Sequence, residues 1–162
     1  MIQNTLILIK PDGVQRSLSG EIIKRLERTG LKIIGMKMVW VQKEHAENHY
    51  NDIGEKHGQR VLDGLTKYLS EGPVIAVCLK GVDSINVVRK LIGSTYPNES
   101  TPGTIRGDFC HISKHYANTN ERIVANLIHA SADENDAKRE LTLWFDKNEL
   151  HDYQTVYEKY VI

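Results

Sequence analysis

The sequence contains little of what marks secreted or nucleic-acid-binding proteins. Two of its 162 residues are cysteines, too few for the disulfide framework of a small secreted domain. Lysine plus arginine and aspartate plus glutamate each number 21, so the formal net charge is +0. This balance gives no general field that attracts nucleic acid or an anionic membrane. We expect neither as a partner, and we expect any anionic ligand to be held by local cations.

Long apolar runs and the common nucleotide-binding motifs are also missing. No apolar run approaches the ~20 residues that a membrane-spanning helix needs, and residues 1–9 lack the basic lead of a secretory signal. These absences predict a cytoplasmic protein. The chain has neither a G-x-x-x-x-G-K-[ST] loop nor a G-x-G-x-x-G fingerprint. Any nucleotide must therefore be bound in another way.

The apolar segments that are present predict a single domain over residues 1–162. Apolar or β-branched runs predict strands at Thr5–Ile9, Lys32–Val41 and Val74–Lys80, with Asp108–Ser113 as the candidate fourth strand. The helices are expected from Ser19 to Gly30, as a pair within residues 43–70, from Asp83 to Gly93, and from Asp133 to Phe145.

This order of elements matches the split βαβ arrangement of ferredoxin-like folds. We therefore predict an α+β protein with a four-stranded antiparallel sheet covered by helices. Helices on one face of the sheet are the expected arrangement. The helical pair between the second and third strands is a hairpin added to that plan.

One segment, Asn126–Ser131, offers a nucleophile. Small residues follow His129 and leave its ring approachable, and neutral imidazole is a good nucleophile. Glu140 follows roughly three helical turns later, so it can face the same side and orient the ring. A purely structural alternative is open, because Ser131-x-x-Glu134 is also a capping-box pattern for the next helix.

Three cations from separated elements can converge on a polyphosphate. Lys10 ends the first strand, Arg89 lies on the helix after the third strand, and Arg106 lies in a proline- and glycine-rich loop. Each alone would be an ordinary solvated charge. Together they can offset the charge of a triphosphate, and the planar arginine fork bonds phosphate oxygens in pairs.

Two histidine pairs, His45/His49 and His111/His115, have the i,i+4 spacing that can bind a metal on a helix. No carboxylate completes an H-E-x-x-H pattern around them. A solvated helix face is the favoured interpretation of both pairs, and we predict no metal bound by side chains.

Taken together, these segments resemble the nucleoside diphosphate kinase family over nearly the whole chain. Several long motifs occur in the family's order, which makes the match specific. The segments that carry it are Ile9–Arg16, Gly20–Ile23, Pro102–Phe109, Asn126–Ser131 and Leu143–Phe145.

The resemblance implies a ping-pong reaction. A nucleoside triphosphate, mainly ATP, gives its γ-phosphoryl group to His129, and a nucleoside diphosphate then takes it. The implied ligands are ATP, GTP, GDP, CDP, UDP and their deoxy forms. Mg²⁺ is the implied cofactor, held through the nucleotide phosphates. Family members are usually hexamers or tetramers, so a homo-oligomer is expected.

The resemblance also assigns roles to individual residues. His129 is the implied phospho-carrier, Glu140 orients it and Ser131 supports Glu140. Tyr50 matches the family tyrosine near the catalytic lysine. The implied contacts to the phosphates and the sugar come from Lys10, Arg89, Thr95, Arg106 and Asn126.

Two features depart from the family pattern. Val61 occupies the hairpin position where the family usually has a phenylalanine that stacks on the base. Base stacking is therefore expected to be weaker, by ~1 kcal/mol. Residues 111–121 form an apparent insertion near a region that makes subunit contacts in the family.

Two other functions are compatible with the same fold. A catalytically silent nucleotide-binding regulatory module is one, although the complete set of His129, Lys10, Arg106 and Glu140 argues against it. An RNA-recognition-type sheet is the other. It needs an aromatic and basic surface, which 7% aromatic residues and zero net charge do not favour.

Overall fold

A four-stranded sheet with the order β2-β3-β1-β4 forms the centre of the molecule, and all neighbouring strands are antiparallel. The computed structural model describes residues 1–156 and 158–161. The strands are β1 (Ile2–Ile9), β2 (Lys32–Val39), β3 (Val74–Val82) and β4 (Ile128–Ala130). The split βαβ order, β1–α2–β2 and β3–α6–β4, confirms the predicted ferredoxin-like α+β fold.

Ten α-helices and two short 3₁₀ turns are found in the described ranges. The first five are α1 (Pro11–Gln15), α2 (Ser19–Glu27), α3 (Lys43–His49), α4 (Ile53–His57) and α5 (Gln59–Ser70). The others are α6 (Ser84–Ile92), α7 (Ile105–Phe109), α8 (Lys114–Thr119), α9 (Glu134–Trp144) and α10 (Glu158–Val161), with 3₁₀ turns at Pro97–Glu99 and Lys147–Glu149. Helices α3 to α5 form the predicted hairpin.

Helices cover both faces of the sheet, so the expectation of one covered face is wrong. Leu6 and Leu8 of β1 belong to a core cluster with α3, α5 and α9, whereas Ile7 and Ile9 belong to a cluster with α2 and α6. All four side chains are fully buried. A stretch of central strand that is apolar at every position, as residues 6–9 of β1 are, is what two covered faces require.

The fourth strand is not where the sequence predicted it. The predicted strand, Asp108–Ser113, begins inside helix α7, which covers residues 105–109. The N-cap of this helix, Thr104, accepts a hydrogen bond from the Gly107 N–H at 3.1 Å. The actual β4 is three residues long, too short for a periodic pattern to mark it. It pairs with β1 and places His129 opposite Leu8.

The chain after α9 returns along β2. The His151 N–H donates to the Ile34 carbonyl at 2.7 Å, and the Tyr153 hydroxyl donates to the Ile33 carbonyl at 2.8 Å. Lys32 is buried and forms ion pairs with Asp152 and Glu158. In the part of the chain that the structure describes, no helix has the length and apolar character to cross a bilayer.

Candidate active site

The predicted catalytic segment begins in a strained turn next to the end of β1. The Ile128 N–H donates to the Asn126 carbonyl at 2.8 Å, which closes a three-residue γ-turn over residues 126–128. Leu127 at its centre has φ of 69° and is fully buried. A bulky residue with positive φ is uncommon and costs about 1–3 kcal/mol, so the surrounding contacts must hold the turn.

Asp12 and Tyr68 provide part of that support. The Asp12 carboxylate accepts the Leu127 N–H at 3.1 Å and the Tyr68 hydroxyl at 2.5 Å. The Tyr68 oxygen in turn accepts the Asn126 N–H at 3.3 Å. With the Ile128 bond, every N–H of the 126–128 turn has a partner, which buried backbone donors require. The Pro-Asp-Gly motif after β1 therefore fixes the backbone of the 126–128 turn.

Arg106 provides the rest of the support. Its guanidinium donates to the Asn126 carbonyl at 3.2 Å and to the Ile128 carbonyl at 2.6 Å. It also donates to the carbonyls of Gly93 and Ser94 at 3.1 and 3.0 Å. Arg106 is 7% exposed, and four of its five N–H donors are used. The residue predicted to hold phosphate thus also holds the backbone of the site.

Lys10 and Asn126 meet where β1 ends. The Lys10 ammonium donates to Asn126 Oδ1 at 2.9 Å, and Asn126 Nδ2 donates to the Thr95 carbonyl at 2.9 Å. Lys10 is 5% exposed. Burial, followed by the positive charge of Arg106, lowers the pKa of Lys10 to about 7, although the Asp12 carboxylate acts in the opposite direction. A buried lysine of this kind gains strongly from a phosphate partner.

His129, Glu140 and Ser131 form a hydrogen-bonded chain. His129 Nε2 lies 2.9 Å from Glu140 Oε1, and the Ser131 hydroxyl donates to Glu140 Oε2 at 2.7 Å. Glu140 is 2% exposed. Burial acts to raise the pKa of Glu140, but its contacts with His129, Ser131 and Arg139 outweigh burial and hold the pKa below its ordinary value. The carboxylate is therefore ionised at neutral pH.

Ionised Glu140 decides which ring nitrogen is free. A carboxylate only accepts hydrogen bonds, so the His129 proton lies on Nε2 and the lone pair lies on Nδ1. The His129 side chain is 21% exposed, enough for a ligand to reach it. Nδ1 is thus the ring nitrogen that carries the lone pair.

Ser131 belongs to the hydrogen-bonded chain of His129 and Glu140 and does not cap the next helix. The N-cap of α9 is Asp133, whose carboxylate accepts the Asp136 N–H at 2.9 Å. The capping-box interpretation of Ser131 is therefore wrong. Ser131 is fully buried, and its hydroxyl is needed to satisfy the second oxygen of a buried carboxylate.

The other predicted ligand residues lie at different depths. Arg89 is exposed on α6. Burial, followed by the positive charge of Arg89, lowers the pKa of Arg106 to about 10. Thr95 is exposed, and Val61 is half-buried in the first turn of α5, outside this hydrogen-bonded group. Tyr50 is buried after α3, and its hydroxyl has no partner in the described residues.

The environment of His49 was predicted wrongly from the sequence. The interpretation of His45 and His49 as a solvated face is wrong, because His49 is 2% exposed and its ring packs edge-on against His129, with ring centroids 4.5 Å apart. The i, i+3, i+4 spacing of Ala46, His49 and Tyr50, which form the buried face of α3 and its C-cap, was the available signal. His111 and His115 are exposed, as predicted, but only His115 lies on a helix, because α8 begins at Lys114.

The fold and the site together define a class. A ferredoxin-like α+β scaffold presents a histidine, oriented by a buried carboxylate, next to buried cations, as expected of a phosphotransferase. A sequence profile of the family described as nucleoside diphosphate kinase matches residues 3–150. The chain therefore belongs to the nucleoside diphosphate kinase family, a family of phosphotransferases, which confirms the resemblance.

Individual relatives agree with the family match. The chain is 46% identical to the nucleoside diphosphate kinase of Borreliella burgdorferi over 95% of this chain and 93% of the relative. It is 42% identical to that of Archaeoglobus fulgidus over 99% and 97% of the two chains.

Solved structures are similar over almost the full length. A transition state mimic of the nucleoside-diphosphate kinase from Borrelia burgdorferi, with bound vanadate and ADP, superposes with a TM-score of 0.96 at 44% identity, covering 99% of this chain and 96% of that chain. A nucleoside diphosphate kinase from Halobacterium salinarum in complex with CDP gives a TM-score of 0.86 at 38% identity, covering 100% and 99%.

The strain at Leu127 predicts an unusual order of stability. Leu127→Ala and Leu127→Gly both remove a buried side chain, at a cost of about 2–5 kcal/mol. Glycine also relieves the positive φ, which offsets its own entropic cost of about 0.5–1 kcal/mol. We expect the glycine variant to be at least as stable as the alanine variant in urea unfolding.

The matched control is Leu26, buried in the right-handed helix α2. There, glycine should be less stable than alanine by about 1 kcal/mol. The same penalty for glycine at both positions would contradict strain at Leu127.

Proposed function

We propose that this chain transfers the γ-phosphoryl group of a nucleoside triphosphate to a nucleoside diphosphate through a phosphohistidine at His129. The observation that carries this proposal is the 2.9 Å contact between Glu140 and His129 Nε2, because it leaves Nδ1 as the nucleophile. The single domain of residues 1–162 carries both half-reactions.

The two half-reactions mirror each other. The Nδ1 lone pair attacks the γ-phosphorus, the bond from phosphorus to the β–γ bridging oxygen breaks, and the nucleoside diphosphate leaves with that oxygen. A terminal oxygen of a second diphosphate then attacks the phosphohistidine and frees Nδ1. The ring gains positive charge while it carries phosphate, and Glu140 stabilises that charge through Nε2–H.

The cations and Asn126 bind the nucleotide in this proposal. Lys10 and Arg106 lie beside the 126–128 turn, and Arg106 keeps one N–H free for a phosphate oxygen. Arg89 and Thr95 are exposed and bind the outer phosphates, and Thr95 follows Gly93 and Ser94, whose carbonyls Arg106 contacts. Asn126 retains one lone pair and one N–H for a sugar hydroxyl, since it uses one of each in its bonds to Lys10 and Thr95. Tyr50, whose hydroxyl has no partner among the residues that the structure describes, completes the set.

Mg²⁺ fits this site as an ion that arrives with the nucleotide. The two carboxylates of the hydrogen-bonded group already have partners. Asp12 accepts hydrogen bonds from Tyr68 and Leu127. Glu140 is bonded to His129 and Ser131. The nucleotide phosphates and water would therefore be its ligands. When bound, the ion neutralises charge on the phosphate oxygens.

The substrates follow from what the site contacts. Phosphate and sugar contacts do not distinguish bases, so ATP, GTP, GDP, CDP, UDP and the deoxy forms are all substrates in this proposal, with ATP the main donor. Bound ADP and CDP in the related structures are consistent with this range. The setting that we propose is the cytoplasm, where the two free thiols, Cys78 and Cys110, stay reduced.

The first test is phosphorylation of the protein itself. Incubation with γ-labelled ATP and Mg²⁺ should put acid-labile, base-stable label on the wild type and on His115→Ala, but not on His129→Ala. The label should move to added GDP or CDP. Nucleotide binding without any labelled protein would favour the silent regulatory module.

Lys10 predicts proton uptake on nucleotide binding. Its pKa is about 7 in the free protein, so it is mostly neutral at pH 8. Bound phosphate favours the charged form and raises the pKa, so binding takes up a proton between the free and the bound pKa. Calorimetry of ADP binding at pH 8 in buffers of different ionisation enthalpy should measure up to about one proton.

The control is Lys10→Arg, which stays charged. It should take up less than the wild type by up to about one proton. Equal uptake by both proteins would contradict the assigned state of Lys10.

Val61 predicts weak base stacking. Val61→Phe adds an aromatic ring at the first turn of α5, worth about 1 kcal/mol in stacking. We expect the KM for nucleotides to fall about fivefold, with kcat nearly unchanged. Val61→Leu, similar in size but not aromatic, is the control. An unchanged KM in Val61→Phe would exclude a stacking role for this position.

We also propose a homo-oligomer, a hexamer or a tetramer. The edge strand β2 and the residue beyond it carry Met36, Met38 and Trp40, which are 55%, 59% and 64% exposed. Apolar residues along a sheet edge favour pairing with another chain. Light scattering should give four or six times the 18.4 kDa chain mass, and Met38→Glu should give smaller species. A monomeric wild type would refute this.

A further inference from the structure

A second histidine lies against the first. His49 ends helix α3 and is 2% exposed. Its ring meets the His129 ring at 83°, with centroids 4.5 Å apart. His49, His129 and Glu140 each have a nitrogen or oxygen atom within 4.8 Å of those of the other two. His49 therefore lies against the pair formed by His129 and Glu140, and the proposed function gives it no role.

Trp144 fixes the protonation of His49. The indole N–H donates to His49 Nδ1 at 3.2 Å. Tryptophan can only donate, so Nδ1 must hold a lone pair and the ring proton must lie on Nε2. Burial, followed by the electrostatic influence of His129 and Lys10, lowers the pKa of His49 well below its ordinary value. His49 is thus a neutral imidazole with one defined tautomer.

The Nε2–H of His49 is a buried donor without an acceptor. It has no hydrogen-bond partner in the described residues, and such donors are rare because burial removes their water. The nearby Glu140 oxygens already accept from His129 and Ser131. An acceptor that arrives only during the reaction accounts for a donor left free in this place.

A metal ion fits the same atoms less well. Two imidazoles and a carboxylate are a familiar zinc set. Binding through His49 Nε2, however, would require the proton to move to Nδ1, where the Trp144 N–H already points. The fixed tautomer therefore makes His49 a donor and not a ligand.

We propose that His49 donates a hydrogen bond from Nε2–H to an oxygen of the phosphoryl group while His129 carries it. This inference rests on the proposed function. His49 does not exchange its proton, and it acts only where phosphate is attached to His129. It should therefore affect the formation of the phosphoenzyme more than the binding of nucleotide.

Three substitutions separate the donor from the ring. His49→Asn keeps an acceptor for Trp144 but lacks the outer N–H, His49→Gln places an amide N–H near the Nε2 position, and His49→Phe keeps the ring shape alone. His45→Asn is the matched control. The His45 ring also packs on Trp144, at 4.6 Å between centroids, but it lies outside the group of His49, His129 and Glu140.

Rapid-quench single turnovers with Mg²⁺ and ATP measure the rate of phosphoenzyme formation. At saturating ATP we expect a loss of about 10- to 100-fold in His49→Asn and His49→Phe, the usual effect of removing a hydrogen bond to a charged group. His49→Gln should recover most of the rate, and His45→Asn should match the wild type. The concentration of ATP for half-maximal rate should stay nearly constant.

Two results would overturn this role. One is a wild-type rate in His49→Asn, and the other is an equal loss in the Asn, Gln and Phe variants, which indicates packing alone. A wild type that takes no phosphate from ATP would instead refute the proposed function.

A measurement on the wild type covers the case of variants that do not fold. Phosphoramidate, which contains no nucleotide, is used to phosphorylate protein with ¹⁵N-labelled histidine. The NMR signal of His49 Nε2–H should then move downfield, as a new hydrogen bond requires. An unchanged signal would overturn the role of His49.

Discussion

The site depends on one buried carboxylate. Glu140 accepts from His129 on one oxygen and from Ser131 on the other, and these bonds keep it ionised although it is 2% exposed. An ionised acceptor fixes the histidine tautomer and holds the ring, so the lone pair is left on Nδ1, the nucleophile in our proposal. Both core clusters position this pair. One cluster packs β4, which carries His129, and the other packs helix α9, which carries Glu140.

A strained turn links that histidine to the cations. The 126–128 turn brings the Asn126 side chain to the Lys10 ammonium and leads directly into β4. Hydrogen bonds with Asp12, Tyr68 and Arg106 offset the free-energy cost of its strained backbone. Every N–H of the turn is bonded, and two of its carbonyls accept from Arg106. The Arg106 guanidinium, predicted to bind phosphate, thus also holds the backbone of the turn, so changes at Arg106 should affect folding and binding together.

The sequence predicts most of this fold and brings together most residues of the candidate site, and the errors have physical causes. The apolar runs of β1 and β3 were identifiable because both faces are covered, and His129, Glu140 and Lys10 followed from motifs and spacing. The three-residue β4 was missed because so short a strand has no period. Ser131 was ambiguous because a capping serine and a serine bonded to Glu140 share one local pattern. His49 was misjudged because its partner, Trp144, is distant in sequence.

The identity of the phosphorylated nitrogen tests the central claim most directly. Alkaline digestion of the phosphorylated protein, followed by chromatography, separates histidine phosphorylated at Nδ1 from histidine phosphorylated at Nε2. If Glu140 holds Nε2, the product is Nδ1-phosphohistidine. Recovery of Nε2-phosphohistidine would mean that Glu140 releases the ring before reaction, and would contradict the role assigned to this carboxylate.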